Sequence, residues 1–471
     1  MRKTQLVVVG GGPGGYVAAF RAADLGMEVT LVDEEADPGG VCLYRGCIPS
    51  KALLHVAKLI NESREAAAWG LDFARPAIDL QRLNDWKRQV VGKMTGGLGM
   101  LAKRRKVQQI QGRARFLDPL TVRVQRTDGT EEDLRFSHAV LATGSRPAAV
   151  PGLTVDNVRV LDSTGALELS DVPDSLLVVG GGYIGLELGS VYAALGSRVS
   201  VVEMTAGLIP PADRDLIRPL HERLEEQFEK IMLETKVVDI EAGEAGVEVA
   251  FETVTGERST QLFGKILVAV GRRPNSEDLG LENTAVVPDA KGFVPVDAQR
   301  RTSESSIFAI GDIAGEPMLA HKASHEAAVA VEAIAGHKVA FEPKAIPAVV
   351  FTDPEIAWCG LTESDAERQG IAVEVARFPW AASGRATTLD RSDGLTKLVI
   401  DPGTERVLGV GIVGTGAGEL IAEGAVAVEM AAVARDLTLT IHPHPTLSET
   451  VMEAAELYFG TSPHLYAPRK S

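Results

Sequence analysis

Apolar and polar positions repeat one pattern twice along the chain. Gln5 to Val9 is a β-rich apolar run that feeds Gly10-Gly11-Gly12-Pro13-Gly14-Gly15; a helix-like stretch, Tyr16 to Leu25, follows and stops at Gly26. A second apolar run, Glu28 to Val32, then ends on Asp33. Much later, Leu176 to Val179 feeds Gly180-Gly181-Gly182-Tyr183-Ile184-Gly185, another helix-like stretch runs to Leu195-Gly196, and a strand ends on Glu203. In each copy the acid stands 23 positions after the first glycine.

Each copy predicts a β-α-β unit that holds a dinucleotide. Gly10 and Gly180 permit the tight turn, Gly12 and Gly182 let backbone approach a pyrophosphate, and Gly15 and Gly185 let the helix pack on the strand. Free N–H groups at the helix start favour the phosphates, and Asp33 or Glu203 can accept a ribose hydroxyl. A glycine turn that merely links strand to helix explains one such match but not two in register. Two dinucleotides on one chain imply a flavin and a nicotinamide, with electrons passing between them.

The stretches after each unit carry their own punctuation. Ala142-Thr143-Gly144-Ser145-Arg146-Pro147 reads as the exit from the first nucleotide domain, and Val268 to Pro274 plays the same part after the second. Phe308-Ala309-Ile310-Gly311-Asp312 looks like a return to the first domain, with Asp312 at a strand end. From about Pro347, β-rich runs (Lys397 to Ile400, Val407 to Val413) alternate with helices such as Gly418 to Met430, and Asp401-Pro402-Gly403 marks a turn. The expected architecture is α/β. Residues 1–147 open an FAD-binding domain, 148–272 form an NAD-binding domain, both Rossmann-like, 273–346 return to the first, and 347–471 form a separate α+β domain.

Length agrees with this division, because 471 residues exceed one ordinary core. With 45% hydrophobic and 24% charged residues, the composition is that of a globular cytosolic protein. A formal charge of −16 disfavours nucleic acid and leaves a basic protein partner open. No apolar run reaches the roughly 18 residues of a membrane span. Met1-Arg2-Lys3 before Leu6 to Val9 superficially resembles a signal peptide, but the run is short, is cut by glycines and Pro13, and lacks a cleavage site. Three cysteines do not make a secreted disulfide framework.

Two of those cysteines lie in Gly39-Gly40-Val41-Cys42-Leu43-Tyr44-Arg45-Gly46-Cys47-Ile48-Pro49-Ser50-Lys51. Pro49 and the apolar positions Ala52, Leu53, Leu54 and Val56 predict a helix start, which places Cys47 near a helix N-terminus. There the dipole favours a thiolate, competent in thiol–disulfide exchange or as a donor to a flavin. Lys51, one turn on, adds positive charge. Two cysteines without clustered partner ligands are only half a zinc site, so no metal is expected. A histidine in His442-Pro443-His444-Pro445-Thr446-Leu447-Ser448-Glu449 has the right chemistry to take a proton from a thiol, and Glu449 could fix its tautomer. On these residues alone, a turn is the commoner reading of the His-Pro run.

The cysteine stretch, both fingerprints, Ala142 to Pro147, Ile307 to Ala323 and His442 to Glu449 together resemble the flavin-dependent disulfide reductases, from Thr4 to about Phe459. Within them the lipoamide branch, the dihydrolipoamide dehydrogenases, is the nearest fit. Leu447 and Ser50-Lys51 resemble that branch, and the end Ala467-Pro468-Arg469-Lys470-Ser471 lacks the cysteine pair of mercuric reductases. The resemblance implies tight, non-covalent FAD, with NAD as acceptor. Glu203-Met204-Thr205 offers an acid and no arginine, which favours NAD over NADP.

It also implies roles. Cys42 becomes the interchange thiol and Cys47 the flavin-contacting thiol of a redox disulfide. His444, backed by Glu449, becomes the base, reaching the cysteines of the other subunit in a homodimer whose contacts come from the C-terminal domain. Gly10, Gly12, Gly15, Asp33, Lys51, Ala114, Thr143, Gly144, Ser145, Asp312 and Ala320 fall to FAD. Gly180, Gly182, Ile184, Gly185, Glu187, Glu203, Val237 and Gly271 fall to NAD, with Glu187 also pairing with Lys51 near the flavin ring.

The implied partners are lipoyl domains and the acyltransferase core of a 2-oxo acid dehydrogenase complex, or the glycine-cleavage carrier protein. With the first fingerprint starting at Gly10, no N-terminal lipoyl domain is expected. A mainly structural subunit would have lost its cysteines or base, and this chain keeps both. Tyr44-Arg45 stands where many members have Asn-Val, and Cys359 matches no motif and is expected to be a buried structural thiol.

Overall fold

The computed structural model describes residues 2–150 and 155–466, so Met1 and the Ala467–Ser471 end lie outside it. The apolar run at the start forms strand β1 (Arg2–Val9), which feeds helix α1 (Pro13–Asp24) and strand β2 (Val29–Asp33). The helix starts at Pro13, earlier than the polar–apolar pattern suggests. Proline sits at the first turn, where its missing N–H is not needed. In space the parallel strands of this domain run Gln108–Asp118, β2, β1, Glu131–Leu141, Ile307–Ala309. Ile307–Ala309 thus joins the first sheet after an excursion of some 160 residues, as the Phe308–Asp312 punctuation predicts.

The second nucleotide domain repeats the same order in parallel: Lys230–Met232, Arg198–Val202, Ser175–Val179, Lys265–Val268, Val160–Leu161. The repetition extends past the fingerprints. In the first domain Gln108–Asp118 and Glu131–Leu141 belong to the parallel order and also form an antiparallel meander with Thr121–Arg126, whereas in the second the meander from Thr235 to Phe263 is a separate three-stranded sheet. The two exits read from the sequence are one structure, because Ser145–Pro147 pairs antiparallel with Arg272–Pro274.

The cysteine stretch folds as helix α2 (Gly40–Arg45) and, after Gly46, helix α3 (Cys47–Glu65); helix α4 (Leu80–Arg104) returns beside them. Residues 348–414 supply an antiparallel sheet of five strands, covered by helices Ala417–Glu429 and Glu449–Phe459. One apolar core crosses all three units. Leu53 and Ala57 of α3 meet Leu186 and Val191 of the second domain and Val350, Ile356 and Val413 of the C-terminal sheet.

Charge joins the units as well. Lys397, 1% exposed on strand Leu395–Ile400, places its ammonium 2.6 Å from Asp213, 2.8 Å from Asp215 and 3.2 Å from Glu363. Asp213 begins helix Arg214–Gln227 of the second nucleotide domain, yet it accepts the N–H groups of Glu363 and Ser364 in the C-terminal domain. Burial opposes ionisation of Asp213 and Asp215, but the Lys397 ammonium, together with the Glu363 and Ser364 N–H groups at Asp213 and Arg377 at Asp215, outweighs it and holds both below the ordinary carboxylate range. Lys397→Met leaves these carboxylates without their shared cation. It should lower unfolding stability by about 3 kcal/mol, read as a shift in the denaturation midpoint. In the parent protein the clamp contributes above the unfolded carboxylate pKa and is lost as pH falls through the lowered folded values, so the difference between the two proteins should shrink in acid.

Candidate functional site

A cavity of about 320 Å³ opens at the C-terminal ends of the first parallel sheet, where an α/β fold places its ligand. Its floor is the first glycine turn. Gly10 has φ +104°, and a Cβ there would stand 2.3 Å from the Ala142 carbonyl oxygen. Above Gly12 the space is open, with only the Gly40 Cα at 3.9 Å, and above Gly182 nothing lies within 4 Å. That is the clearance a pyrophosphate needs. Gly15 and Gly185 sit beneath, where an added Cβ would meet the Gly10 and Gly180 carbonyl oxygens at 1.8 and 2.5 Å.

The two acids are held alike. Asp33 accepts from Gly11 N–H at 2.5 Å and Glu35 N–H at 2.8 Å; Glu203 accepts from Gly181 N–H at 2.7 Å and Thr205 N–H at 2.8 Å. Each carboxylate therefore locks its own glycine turn and keeps lone pairs for a ribose hydroxyl.

On the cavity wall, Cys42 lies in α2 and Cys47 is the first residue of α3. Gly46 between them packs tightly; a Cβ there would stand 2.8 Å from the Val41 carbonyl oxygen. The Cys42 thiol donates to Cys47, and Lys51 adds its charge. Together they outweigh burial and bring Cys47 down to about 7, while Cys42 is pushed up because it keeps the shared proton. Lys51 in turn pairs with Glu187 at 2.8 Å and stands over the Phe351 ring at 4.5 Å, and Glu187 accepts the Phe351 N–H at 3.0 Å.

The opposite wall is stitched from both domain exits. Thr143 donates to the Asn275 carbonyl at 2.7 Å, Asn275 Nδ2 returns to the Thr143 carbonyl at 2.9 Å, and Arg272 Nε donates to Ser145 Oγ at 2.7 Å. Ser145 Oγ donates to Asp312. The turn carrying Asp312 is fixed by the fully buried Glu326, which accepts Gly311 N–H at 2.6 Å and pairs with Arg300 and Lys322.

The structure thus brings Gly10, Gly12, Asp33, Cys42, Cys47, Lys51, Thr143, Gly144, Ser145, Asp312 and Ala320 to one cavity. Ile184 and Glu187, grouped with the nicotinamide on sequence, also line it, because the second helix start faces the first domain. Ala114 does not: its side chain is buried in the core behind the meander with Val122 and Val124. Gly180, Gly182, Gly185 and Glu203 sit together at the second fingerprint, while Val237 packs on the core beneath the second meander and Gly271 precedes the Arg272–Pro274 strand. The FAD expectation therefore fits the open glycine turn and its acid. Sequence reasoning missed Tyr183, Asn275 and Arg272 as cavity residues. The last two lie in or beside the Gly-Arg-Arg-Pro run, and nothing in that run shows that it folds against Thr143.

His444 and Glu449 lie apart from this cavity. His444, whose side chain is 74% exposed, points Nδ1 at Glu449 Oε1, 2.9 Å away, and Thr446 N–H donates to the other carboxylate oxygen at 2.7 Å. A carboxylate only accepts, so Nδ1 carries the proton and Nε2 is left as the base. His442 is different: its ring is buried between Glu423 at 2.7 Å and the Thr440 carbonyl at 2.9 Å, an anchor for the loop. Cys359 is buried on strand Glu355–Gly360, and burial pushes its thiol up to about 12.

These features define a flavin-type disulfide oxidoreductase scaffold, and comparison with known proteins agrees. The chain belongs to the pyridine nucleotide-disulphide oxidoreductase family, whose model matches residues 4–327, and its dimerisation domain matches residues 346–455. The chain is 49% identical to the dihydrolipoyl dehydrogenase of Vibrio parahaemolyticus over 98% of its own length and 96% of the relative's. It is 49% identical to that of Haemophilus influenzae with the same coverage. Among solved structures it is similar to LpdA from Mycobacterium tuberculosis, with TM-score 0.89, 28% identity, and 97% of this chain and 99% of that one covered. It is also similar to the HOCl-induced flavoprotein disulfide reductase RclA from Escherichia coli, with TM-score 0.85, 27% identity, and 96% and 99% covered. No helix among the described residues is long and apolar enough to cross a membrane.

If Lys51 helps to hold Cys47 as a thiolate, Lys51→Met should raise the pH at which that thiolate forms. In the two-electron-reduced protein the thiolate–flavin charge-transfer absorbance should titrate near pH 7, and higher in the variant. An unchanged midpoint would remove Lys51 from the account.

Proposed function

We propose that this protein is a dihydrolipoyl dehydrogenase that oxidises protein-bound dihydrolipoamide to lipoamide and passes the electrons to NAD. One observation carries the reading. An acidified thiol at a helix start, a protonated neighbour and an ammonium stand on the wall of a cavity whose floor is a dinucleotide turn. FAD bound there, with NAD at the second fingerprint, would supply the two-electron path from thiols to nicotinamide. Gly10, Gly12, Asp33, Ser145 and Asp312 would hold the flavin dinucleotide. Gly180, Gly182, Gly185 and Glu203 would hold NAD, with Glu203 favouring a 2′-hydroxyl over a 2′-phosphate. No step calls for a metal.

The residues divide the work as follows. His444 of the partner subunit takes a proton from the incoming dithiol through Nε2, and Glu449 stabilises the charge that forms on the ring. The resulting thiolate attacks Cys42 of the Cys42–Cys47 disulfide. A mixed disulfide forms through Cys42, and Cys47 leaves as a thiolate, which its lowered pKa favours. The second substrate thiol then attacks the substrate sulfur of the mixed disulfide, closing lipoamide and releasing Cys42. The match to a dimerisation domain supports a homodimer that would bring the exposed His444 to the partner's cysteines. The net charge of −16 suits docking to a basic segment of an acyltransferase core that carries lipoyl domains.

An anaerobic titration of the purified protein with dihydrolipoamide, followed by absorbance, tests the reading. A long-wavelength charge-transfer band that is absent in Cys47→Ser and cleared by NAD is expected. A band raised only by another dithiol, or cleared only by NADP, would overturn the substrate or acceptor. His444→Gln should lower kcat for lipoamide reduction by a factor of about 10² to 10⁴ while flavin reduction by NADH persists. A variant as active as the parent would remove His444 as the base.

A further inference from the structure

Tyr44 and Arg45, the two unusual residues between the cysteines, are not used by the chemistry above. Neither engages the sulfur atoms; both reach back to residues 34–39, the segment that follows the acid Asp33. The Arg45 guanidinium pairs with the Glu35 carboxylate, and the Tyr44 hydroxyl donates to the Asp37 carbonyl at 2.9 Å. That segment is itself tied to the first glycine turn. Gly39 N–H donates to the Gly11 carbonyl at 2.8 Å, and an added Cβ on Gly40 would lie 2.5 Å from the Gly12 Cα. The contacts close a ring from the glycine turn, through residues 33–39 and the cysteine turn, back to the glycine turn. Glu35 and Arg45 both lie on the cavity rim.

Charge makes the ring matter. Asp33, Glu34 and Glu35 set three consecutive carboxylates along the cavity; Arg113 pairs with Glu34 at 2.6 Å, which leaves Glu35 to Arg45. Arg45 offsets that field and in the same contact pins the segment down. We propose that Tyr44 and Arg45 form a clasp that ties the redox turn to the rim of the dinucleotide cavity and retains the adenosine-phosphate half of FAD. They are positioning residues, and the proposal rests on FAD occupying this cavity.

Release of FAD from the purified holoenzyme, read as recovery of free-flavin fluorescence at low salt, tests the clasp. Arg45→Val should release flavin about three to five times faster, the size of one partly exposed charge-assisted contact, and Arg45→Lys should recover part of the loss. Glu35→Ala should also leak faster, and the double variant Glu35→Ala/Arg45→Val no faster than Arg45→Val alone. Added salt should speed release from the parent and leave Arg45→Val little changed.

Slower release from Glu35→Ala would mean that Arg45 binds the phosphates directly and would overturn the clasp, as would additive single variants. Should Arg45→Val fail to fold, Glu35→Ala alone decides, since unchanged or slower release overturns the proposal. Flavin held equally by all variants sinks the clasp and leaves the enzyme reading intact. A protein that purifies without flavin and takes up none overturns both.

Discussion

The Lys51 ammonium is the charge around which the site is arranged. It comes from α3, one turn after Cys47. It pairs with Glu187 of the second nucleotide domain and rests on Phe351 of the C-terminal domain, whose N–H the same Glu187 accepts. An almost fully buried carboxylate such as Glu187 is costly unless a cation meets it, so the two nucleotide domains must come together for the pair to form, and the C-terminal domain closes it through Phe351. Once formed, the pair places positive charge beside Cys47, where it adds to the Cys42 hydrogen bond in favouring the thiolate. Domain assembly and thiol chemistry are thus one electrostatic arrangement.

The same logic recurs at a distance from the cysteines. Lys397 gathers Asp213, Asp215 and Glu363 across the join between the second nucleotide domain and the C-terminal sheet. The three carboxylates stand close enough to hold a metal ion, but the lysine already supplies the cation. Glu326 does the reverse, one buried acid among Arg300, Lys322 and the Gly311 N–H, and so fixes the turn that presents Asp312. In a chain of net charge −16, the buried cations are spent on joints and turns that position the site.

Duplication explains how one chain carries two glycine turns of the dinucleotide type and why they are not equivalent. Both domains share strand order, glycine turn, carboxylate lock and meander. They differ at the first residue of the helix. Pro13 begins the first, whereas Tyr183 begins the second and turns into the cavity of the first domain. The second unit therefore contributes Tyr183, Ile184 and Glu187 to the site of the first, which an internal repeat taken as two independent modules does not predict.

What was legible in the sequence was whatever depends on short-range backbone geometry. Glycines at fixed offsets between an apolar run and a helix specify the turn. An acid 23 residues after the first glycine specifies the end of the next strand. Pro49 and the apolar positions after it specify the helix that carries Cys47 and Lys51. The return of residues 307–309 to the first sheet was legible for the same reason, as an apolar run closed by glycine and acid. Charge partners separated by more than a hundred residues were not legible: Lys51 with Glu187 could be named only through family likeness, while Lys397 with Asp213, and Thr143 with Asn275, left no local trace. Nor could the His-Pro run say which ring is anchored and which is free, because that depends on Glu423 and Glu449 arriving from different helices. Local sequence determined the two nucleotide turns and the placement of a reactive cysteine. Only tertiary structure decided which cavity each residue faces and which charges are paired, because burial and Coulomb attraction act between groups that the chain brings together only when folded.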